Sequence, residues 1–142
     1  MYRRILVALE NSRADASLIP HVARLASLVQ SELVLIHVAD GWVARHYDEL
    51  KLAESEEMKA DRRYLEAHAA ALRAQGLHVD VHLALGNPPT EILKAADQQR
   101  CDLIAMTTHG HRFFGDLIYG STITAVRHKS QVPILLVRAA EL

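Results

Sequence analysis

The sequence predicts an α/β protein with an open five-stranded parallel sheet and helices on both faces. Two observations lead to this prediction. Short apolar runs alternate with longer segments of helical periodicity in the order βαβαβαβαβ, and most of these runs are continuously apolar. Continuous apolar runs are typical of strands that are covered on both faces, and strands joined through helices pair in parallel with right-handed crossovers.

The predicted strands are short runs rich in leucine and β-branched residues. They are Ile5–Leu9, Leu33–Val38, Val79–Leu85, Leu103–Thr107 and Ile134–Val137. Each is far shorter than the roughly 20 apolar residues of a membrane-spanning helix, so no membrane segment is predicted. The stretch Gly41–Ala53, which contains Trp42, follows the second strand and is expected to be a loop partly packed on the domain.

Four helices are predicted between the strands. The first spans about Asp15–Gln30, and the second spans about Glu54–Gln75 with Gly76 as its C-cap. The third opens at Pro88-Pro89, because proline is tolerated in the first turn of a helix. The fourth follows Gly120-Ser121 and ends in the basic residues Arg127, His128 and Lys129, which suit a helix C-terminus.

Length and composition indicate one ordinary domain over residues 1–142. Half of the residues are apolar, and a chain of this size buries enough surface to fold without disulfides or a structural metal. Cys101 is the single cysteine, and the apolar run after Met1 is too short for a signal peptide, so a cytoplasmic protein is expected. Sixteen basic and seventeen acidic residues give a net charge of -1, which argues against a nucleic-acid partner.

Ligands of open parallel sheets bind beyond the carboxyl ends of the strands, where the strand order reverses. The segment after the fourth strand is the most informative one, because Thr108-His109-Gly110-His111 leads through Gly120-Ser121 into a helix. Small residues there let backbone N–H groups approach phosphate oxygens, and the helix N-terminus adds unpaired donors. Gly110 and Gly120 are also compatible with ordinary turn and cap positions.

Two other motifs overlap this segment. Gly110 and Gly115 have the spacing of a Walker A loop, but Asp116 stands at the lysine position and would repel phosphate, so that motif is rejected. Thr108-His109-Gly110-His111 is similar to the histidine motif of adenylyltransferases. In that class the motif follows the first strand and has a basic partner motif, neither of which is evident here. A nucleotidyltransferase is therefore one of the alternative functions of the chain, although this motif supports it only weakly.

Over essentially its whole length the chain resembles the universal stress protein family of the UspA type. The family's nucleotide-binding pattern is Gly, two residues, Gly, nine residues, Gly, then Ser or Thr. This chain reads Thr107-x2-Gly110-x9-Gly120-Ser121 and keeps three of the four positions. Supporting segments are Ile5-Leu6-Val7-Ala8, Gly86-Asn87-Pro88 and Val132–Val137.

The resemblance implies a Rossmann-like fold of the adenine nucleotide alpha hydrolase type, with ATP in a cleft and Mg²⁺ bridging its phosphates. It implies a cytosolic stress-response protein that acts as a nucleotide-dependent switch or binding module. The adenosine is expected near Ala8, Leu9, Glu10, Val38 and Met106, and the phosphates near Thr107, Gly110, His111, Arg112, Gly120, Ser121 and Thr122. The chain lacks the Walker lysine and the acidic metal ligands of an efficient NTPase or kinase, so binding rather than catalysis is predicted, with slow ATP hydrolysis or self-phosphorylation as the open alternative.

Two positions depart from the family pattern. Glu10 replaces the usual Asp, which suits ribose hydroxyls, and its carboxylate reaches one methylene further. Thr107 replaces the first glycine and brings a Cβ to a place where backbone should pass close to phosphate. These departures motivate a second hypothesis, in which the chain is a dimeric interaction protein of the same fold that binds no nucleotide.

Several histidines and the single cysteine are candidates for metal, phosphate or thiol chemistry. His78 and His82 have a spacing that could hold a metal, but solvent-facing or edge positions explain them better. His109 and His111 are candidate donors to phosphate. His37 is expected to be a hydrogen-bonded core residue, and Cys101 is expected to be structural.

The last strand, Ile134–Val137, predicts an interface. It is apolar on both faces, and in the family's strand order 3-2-1-4-5 it lies at a sheet edge, where exposed apolar strands aggregate unless covered. The resemblance implies that it pairs antiparallel with the same strand of a second copy. A homodimer is therefore expected, with Pro133 limiting where pairing begins.

Overall fold

A computed structural model describes residues 1–39, 51–109 and 117–140 of the chain. The strands and helices alternate from the first to the last, as predicted. They are β1 (Arg4–Ala8), α1 (Asp15–Val29), β2 (Glu32–Ala39), α2 (Lys51–Ala74), β3 (Val79–Leu85), α3 (Pro88–Gln98), β4 (Leu103–Thr108), α4 (Leu117–Lys129) and β5 (Ile134–Arg138). The predicted strand ends lie within one residue of the observed ones.

The five strands form one parallel sheet in the order β3-β2-β1-β4-β5. The central strand β1 pairs with β2, with Val7 opposite Leu35, and with β4, with Val7 opposite Ala105. The open parallel α/β fold and its strand order are therefore confirmed. The strand order reverses at β1, whose neighbours are β2 and β4, so a binding crevice is expected at the carboxyl ends of these three strands.

Alternate residues of β1 enter two separate cores, because successive side chains of a strand point to opposite faces. Ile5 and Val7 pack with residues of α1 and α2, whereas Leu6 and Ala8 pack with residues of α3 and α4. Both faces of the central strands are thus covered by helices. This explains why their sequences are continuously apolar.

Local sequence signals account for several helix boundaries. Asn87 caps α3, since its side-chain oxygen accepts a 3.2 Å hydrogen bond from the Thr90 backbone N–H. Pro88 and Pro89 occupy the first turn, as predicted. Gly76, just past the end of α2, has a φ of +90°, a conformation that glycine adopts without steric cost.

Two predicted boundaries need correction. Helix α4 begins at Leu117, before Gly120-Ser121, because the apolar residues that precede Gly120 do not oppose a helix and a single glycine costs a helix only about 1 kcal/mol. Helix α2 begins at Lys51, so the last three residues of the predicted loop Gly41–Ala53 are helical. The rest of that loop, including Trp42, lies outside the described residues.

Candidate functional site

A cleft opens at the carboxyl ends of β1, β2 and β4, at the point where the strand order reverses. The space between its walls, including the part open to solvent, amounts to about 370 Å³. Its walls are mostly apolar, with two polar side chains from the ends of β1 and β4. The lining residues are Ala8, Leu9, Glu10, Ile36, Val38, Pro88, Ile92, Met106 and Thr107.

Six predicted site residues lie together in this cleft: Ala8, Leu9, Glu10, Val38, Met106 and Thr107. Sequence reasoning missed Ile36, Pro88 and Ile92. The spacing of these residues in the sequence could have indicated that they line the cleft. Ile36 shares a face of β2 with Val38 at a spacing of two, and Ile92 follows Pro88 by about one turn of α3.

Glu10 is held by two side chains from the end of β4. The hydroxyl of Thr107 donates to Oε2 of Glu10 in a short hydrogen bond, and Nε2 of His109 lies 2.8 Å from Oε1 and 2.7 Å from Oε2. The side chains of Glu10 and His109 are only 4% and 7% exposed. Glu10 and Thr107, the two positions that depart from the family pattern, therefore contact each other. The ring of His109 contacts the same Glu10 carboxylate.

Asp15, the first residue of α1, fixes the loop that carries Glu10. Its Oδ1 accepts a 2.9 Å hydrogen bond from the Glu10 backbone N–H, and its Oδ2 accepts one of 2.9 Å from the Asn11 backbone N–H. Asn11 has a φ of +60°, which asparagine tolerates better than most residues. Asp15 is 1% exposed, so a buried carboxylate holds the backbone of this loop in place.

Helix α2 supports the same loop from outside. The hydroxyl of Tyr64 donates a 2.5 Å hydrogen bond to Oδ2 of Asp15, and the Asn11 side-chain amide donates one of 3.0 Å to Asp61. Burial, together with the neighbouring Asp15 carboxylate, raises the pKa of the Tyr64 hydroxyl. The loop is thereby tied to both α1 and α2.

His37 lies in β2 beside this network. It is buried, and its Nδ1 is 3.0 Å from the backbone oxygen of Leu9. Its Nε2 is 3.9 Å from Oδ1 of Asp61. The prediction that His37 is a hydrogen-bonded core residue is confirmed, and its bond steadies the backbone immediately before Glu10.

The predicted phosphate-binding residues are only partly within the described chain. Gly110, His111 and Arg112 lie outside the described residues. Gly120 lies in the first turn of α4, Ser121 is exposed, and Thr122 is buried. Because α4 begins earlier than predicted, the unpaired N–H groups of its N-terminus lie near Leu117. Ser121 was predicted to lie at the helix N-terminus, but it lies one turn further along the helix.

The alternative metal and thiol sites gain no support. Within the described ranges, no group of three or more His, Cys, Asp or Glu side chains is placed to hold a metal, and His78 and His82 belong to no such group. Cys101 is buried, and this burial raises the pKa of its thiol to about 11, as suits a structural cysteine. No helix in the described part of the chain is long and apolar enough to cross a membrane.

Comparison with known proteins reveals relatives that match nearly the whole chain. A sequence model of the universal stress protein family matches residues 1–138. Universal stress protein MJ0577 of Methanocaldococcus jannaschii is 27% identical over 97% of this chain and 96% of its own. The solved structure of MJ0577 superposes with a TM-score of 0.80, at 29% identity, over 100% of this chain and 99% of that one.

Two further solved structures share the fold and were determined with nucleotides. A universal stress protein of Archaeoglobus fulgidus in complex with dAMP has a TM-score of 0.66 at 24% identity, and covers 96% of this chain and 98% of that one. A universal stress protein in complex with cAMP has a TM-score of 0.69 at 17% identity, and the match covers 98% of both chains. At these identities the likeness shows the fold.

Proposed function

Because the chain belongs to the universal stress protein family, we propose that it binds an adenine nucleotide, with ATP as the first candidate, in the cleft between β1, β2 and β4. One observation carries the proposal: an apolar cleft with a carboxylate on one wall lies where the strand order reverses.

The lining divides into parts that suit different parts of a nucleotide. Val38, Ile92 and Met106 provide apolar surface for a flat purine ring. Glu10 provides an acceptor for sugar hydroxyls, and the segment after β4 leads toward the N-terminus of α4, where unpaired N–H groups favour phosphate. The remaining proposed contacts are Ala8, Leu9, Thr107, Gly110, His111, Arg112, Gly120, Ser121 and Thr122, with Mg²⁺ bridging the phosphates.

The structures solved with dAMP and with cAMP support this proposal in a general way, because those proteins hold adenine nucleotides on the same fold. The two proteins hold different adenine nucleotides, so the nucleotide that this chain binds has to be identified by experiment. We propose that the bound nucleotide makes this chain a cytosolic switch or binding module in a stress response. The apolar residues of β5 support a second part of the proposal, a homodimer formed through Ile134–Val137.

Identification of a co-purified nucleotide tests the proposal most directly. Native protein is denatured by heat, and the released small molecules are separated and identified. Calorimetric titration with ATP, AMP and Mg-ATP then gives the affinities. We expect adenine nucleotide in the released fraction, and a measurable heat of binding. Absence of both would contradict the proposal.

A matched pair of variants locates the site. Val38→Trp fills the cleft, and we expect it to weaken ATP binding by about tenfold or more through lost contacts with the base. Val29→Trp places the same bulk at the partly exposed end of α1, away from the cleft, and should bind as the wild type does. Equal affinity of both variants would place the nucleotide elsewhere.

One observation favours a second candidate, an interaction protein of the same fold that binds no nucleotide. The side chain of Thr107 adds bulk at the position where the family pattern has glycine, and it lines the cleft. On this reading Thr107→Gly would gain affinity for ATP from almost none. If ATP binding is already present in the wild type, this candidate is excluded.

A further inference from the structure

We propose that His37 is a proton-dependent positioning residue for the cleft, and that its protonated ring, paired with Asp61, gives the state with the higher affinity for nucleotide. The proposal rests on the proposed nucleotide binding and adds a regulation of the same cleft. Imidazole is the side chain whose charge changes between about pH 5 and 8, so the affinity should change with pH in that interval. Three contacts made by these two side chains join β2, α2 and the loop between β1 and α1.

His37 is surrounded by residues that line the cleft, although its own ring lies outside it. Its chain neighbours on β2, Ile36 and Val38, both line the cleft. Because side chains alternate along a strand, the ring of His37 lies on the opposite face of the sheet. There its Nδ1 is 3.0 Å from the backbone oxygen of Leu9, a third lining residue. A change at His37 can therefore reach the cleft without any contact between His37 and a ligand.

A single oxygen of Asp61 connects His37 to the same loop a second time. Oδ1 of Asp61 accepts a 3.0 Å hydrogen bond from the side-chain amide of Asn11. The same atom is 3.9 Å from Nε2 of His37. His37 is thus linked to the loop directly at Leu9 and, through Asp61 of α2, at Asn11. The residue between these two attachment points is Glu10, which lines the cleft.

Both nitrogens of the His37 ring face acceptors. The backbone oxygen of Leu9 can only accept, so Nδ1 must carry the proton when the ring is neutral. Nε2 then presents its lone pair to the Asp61 carboxylate, which also only accepts. In the imidazolium form both nitrogens are donors. Protonation therefore replaces a repulsive contact by an ion pair and allows the 3.9 Å separation to close to a hydrogen bond.

Asp61 supplies the charge that favours the protonated ring. Its side chain is 12% exposed, and that of His37 is 11% exposed. A carboxylate that is largely removed from water needs hydrogen bonds or an opposite charge to compensate for the lost hydration. Asn11 supplies one neutral donor. Among the described residues, His37 is the one basic side chain that pairs with this carboxylate.

The ionisable groups beside this contact are engaged with one another. Asp15 of α1 accepts from the loop backbone and from the hydroxyl of Tyr64 on α2. Glu10, at the end of β1, contacts His109 at the end of β4. Leu83 of β3, which is opposite His37 in the sheet, carries no charge. Because His109 is a second imidazole close to the cleft, the experiment has to separate the two histidines.

Protonation should act on the nucleotide by ordering the loop. Leu9 and Glu10 line the cleft, and a loop whose backbone is already held loses less conformational freedom when the ligand binds. The coupling is reciprocal, so nucleotide binding should in turn favour proton uptake by the protein. The affinity should therefore be highest at acid pH and should fall as His37 loses its proton.

The test is calorimetric titration of the full chain with Mg-ATP at about pH 5.5 and 8, for the wild type and for His37→Asn. Asparagine keeps a neutral N–H donor for Leu9 but cannot be protonated. The ionisation of the ligand and of His109 is common to both proteins, so their difference belongs to His37. We expect the ratio of affinities at the two pH values to be about fivefold larger in the wild type. Equal ratios would overturn the proposal while nucleotide binding stands.

Two further variants separate the charge from the fold. Asp61→Asn keeps an acceptor for Asn11 but removes the charge, and it should reduce the pH dependence as much as His37→Asn does. The double variant should show no further reduction, because both changes remove the same interaction. His78→Asn makes the same replacement at an exposed histidine just before β3 and should keep the wild-type ratio. An unchanged ratio in Asp61→Asn would overturn the role of the ion pair.

Proton uptake gives a second, independent readout. The heat of Mg-ATP binding near pH 6.5 is measured in buffers that differ in their enthalpy of ionisation. The wild type should take up a fraction of a proton more per bound nucleotide than His37→Asn. Loss of stability alone does not produce this difference, and an equal proton count in both proteins would overturn the proposal. Absence of any binding heat at either pH would instead overturn the nucleotide site itself, and the role of His37 with it.

Discussion

The hydroxyl of Tyr64 donates a 2.5 Å hydrogen bond to the Oδ2 atom of Asp15, which joins the middle of α2 to the loop that carries Glu10. The same carboxylate also accepts from the backbone N–H groups of Glu10 and Asn11. A single buried side chain therefore determines the shape of the loop at the cleft.

Asp15→Ala should lower the free energy of unfolding by about 2–4 kcal/mol, because it leaves buried donors without their charged acceptor. Tyr64→Phe removes one of these donors and should lower it by about 1–2 kcal/mol. Urea denaturation at neutral pH measures both. Asp97→Ala, at an exposed position on α3, is the control and should stay within about 0.5 kcal/mol of the wild type. A similar loss in Asp15→Ala and Asp97→Ala would contradict the assigned role of Asp15.

Tyr64 should also make stability fall at alkaline pH. Burial and the Asp15 carboxylate raise the pKa of Tyr64 above that of the unfolded chain, which is about 10. Above that pH the unfolded state releases a proton that the folded state keeps, so the free energy of unfolding decreases as the pH rises. Below it, the contribution of Tyr64 is fully present.

The comparison that isolates this effect is urea denaturation of the wild type and Tyr64→Phe at pH 8 and near pH 11. We expect the wild type to lose more stability than the variant between these two conditions. Parallel losses in the two proteins would mean that Tyr64 ionises equally easily in both states.

Cys101 should be unreactive in the folded protein. Burial raises the pKa of its thiol to about 11, so little thiolate is present at pH 8, and the sulfur is also shielded from reagents. Labelling with a disulfide reagent at pH 8 should be slow in native buffer and complete within minutes in guanidinium chloride. Fast labelling of the native protein would show that the segment before β4 opens readily.

The proposed dimer can be tested at Leu136, which is 41% exposed on the edge strand β5. A lysine there places charge in the proposed strand pairing, and we expect Leu136→Lys to convert the dimer to a monomer in light scattering. Leu28 on α1 is 82% exposed and lies outside the proposed interface, so Leu28→Lys should remain dimeric. A wild type that is monomeric at all concentrations would refute the dimer.

Most of the fold could be predicted from the sequence, because each strand is recognisable from the apolar residues of its own short segment. A run such as Leu33–Val38 is apolar at nearly every position, and a doubly covered strand requires this. The start of α4 was less predictable. Glycine is read as a helix boundary, yet Gly120 lies within the first turn of α4, where its cost is small.

The cleft was also largely predictable, but its polar cluster was not. Sequence reasoning treated Glu10 and Thr107 as two separate departures, because they are 97 positions apart in the chain. Only the pairing of β1 with β4, in which Val7 lies opposite Ala105, brings them together. The sequence presents His109 as a candidate donor to phosphate, and no local pattern indicates that its ring faces a carboxylate at the end of another strand.

The position of β1 in the sheet also affects how the chain matures during synthesis. Strand β1 is made first, but the Arg3 backbone N–H just before it donates a hydrogen bond to Asp102, which lies 99 residues later, immediately before β4. Until that segment leaves the ribosome, the nascent sheet keeps β1 as an apolar open edge, the kind of edge that invites aggregation. Ribosomal pausing between β3 and β4 would prolong that exposure, and we expect it to lower the yield of folded protein.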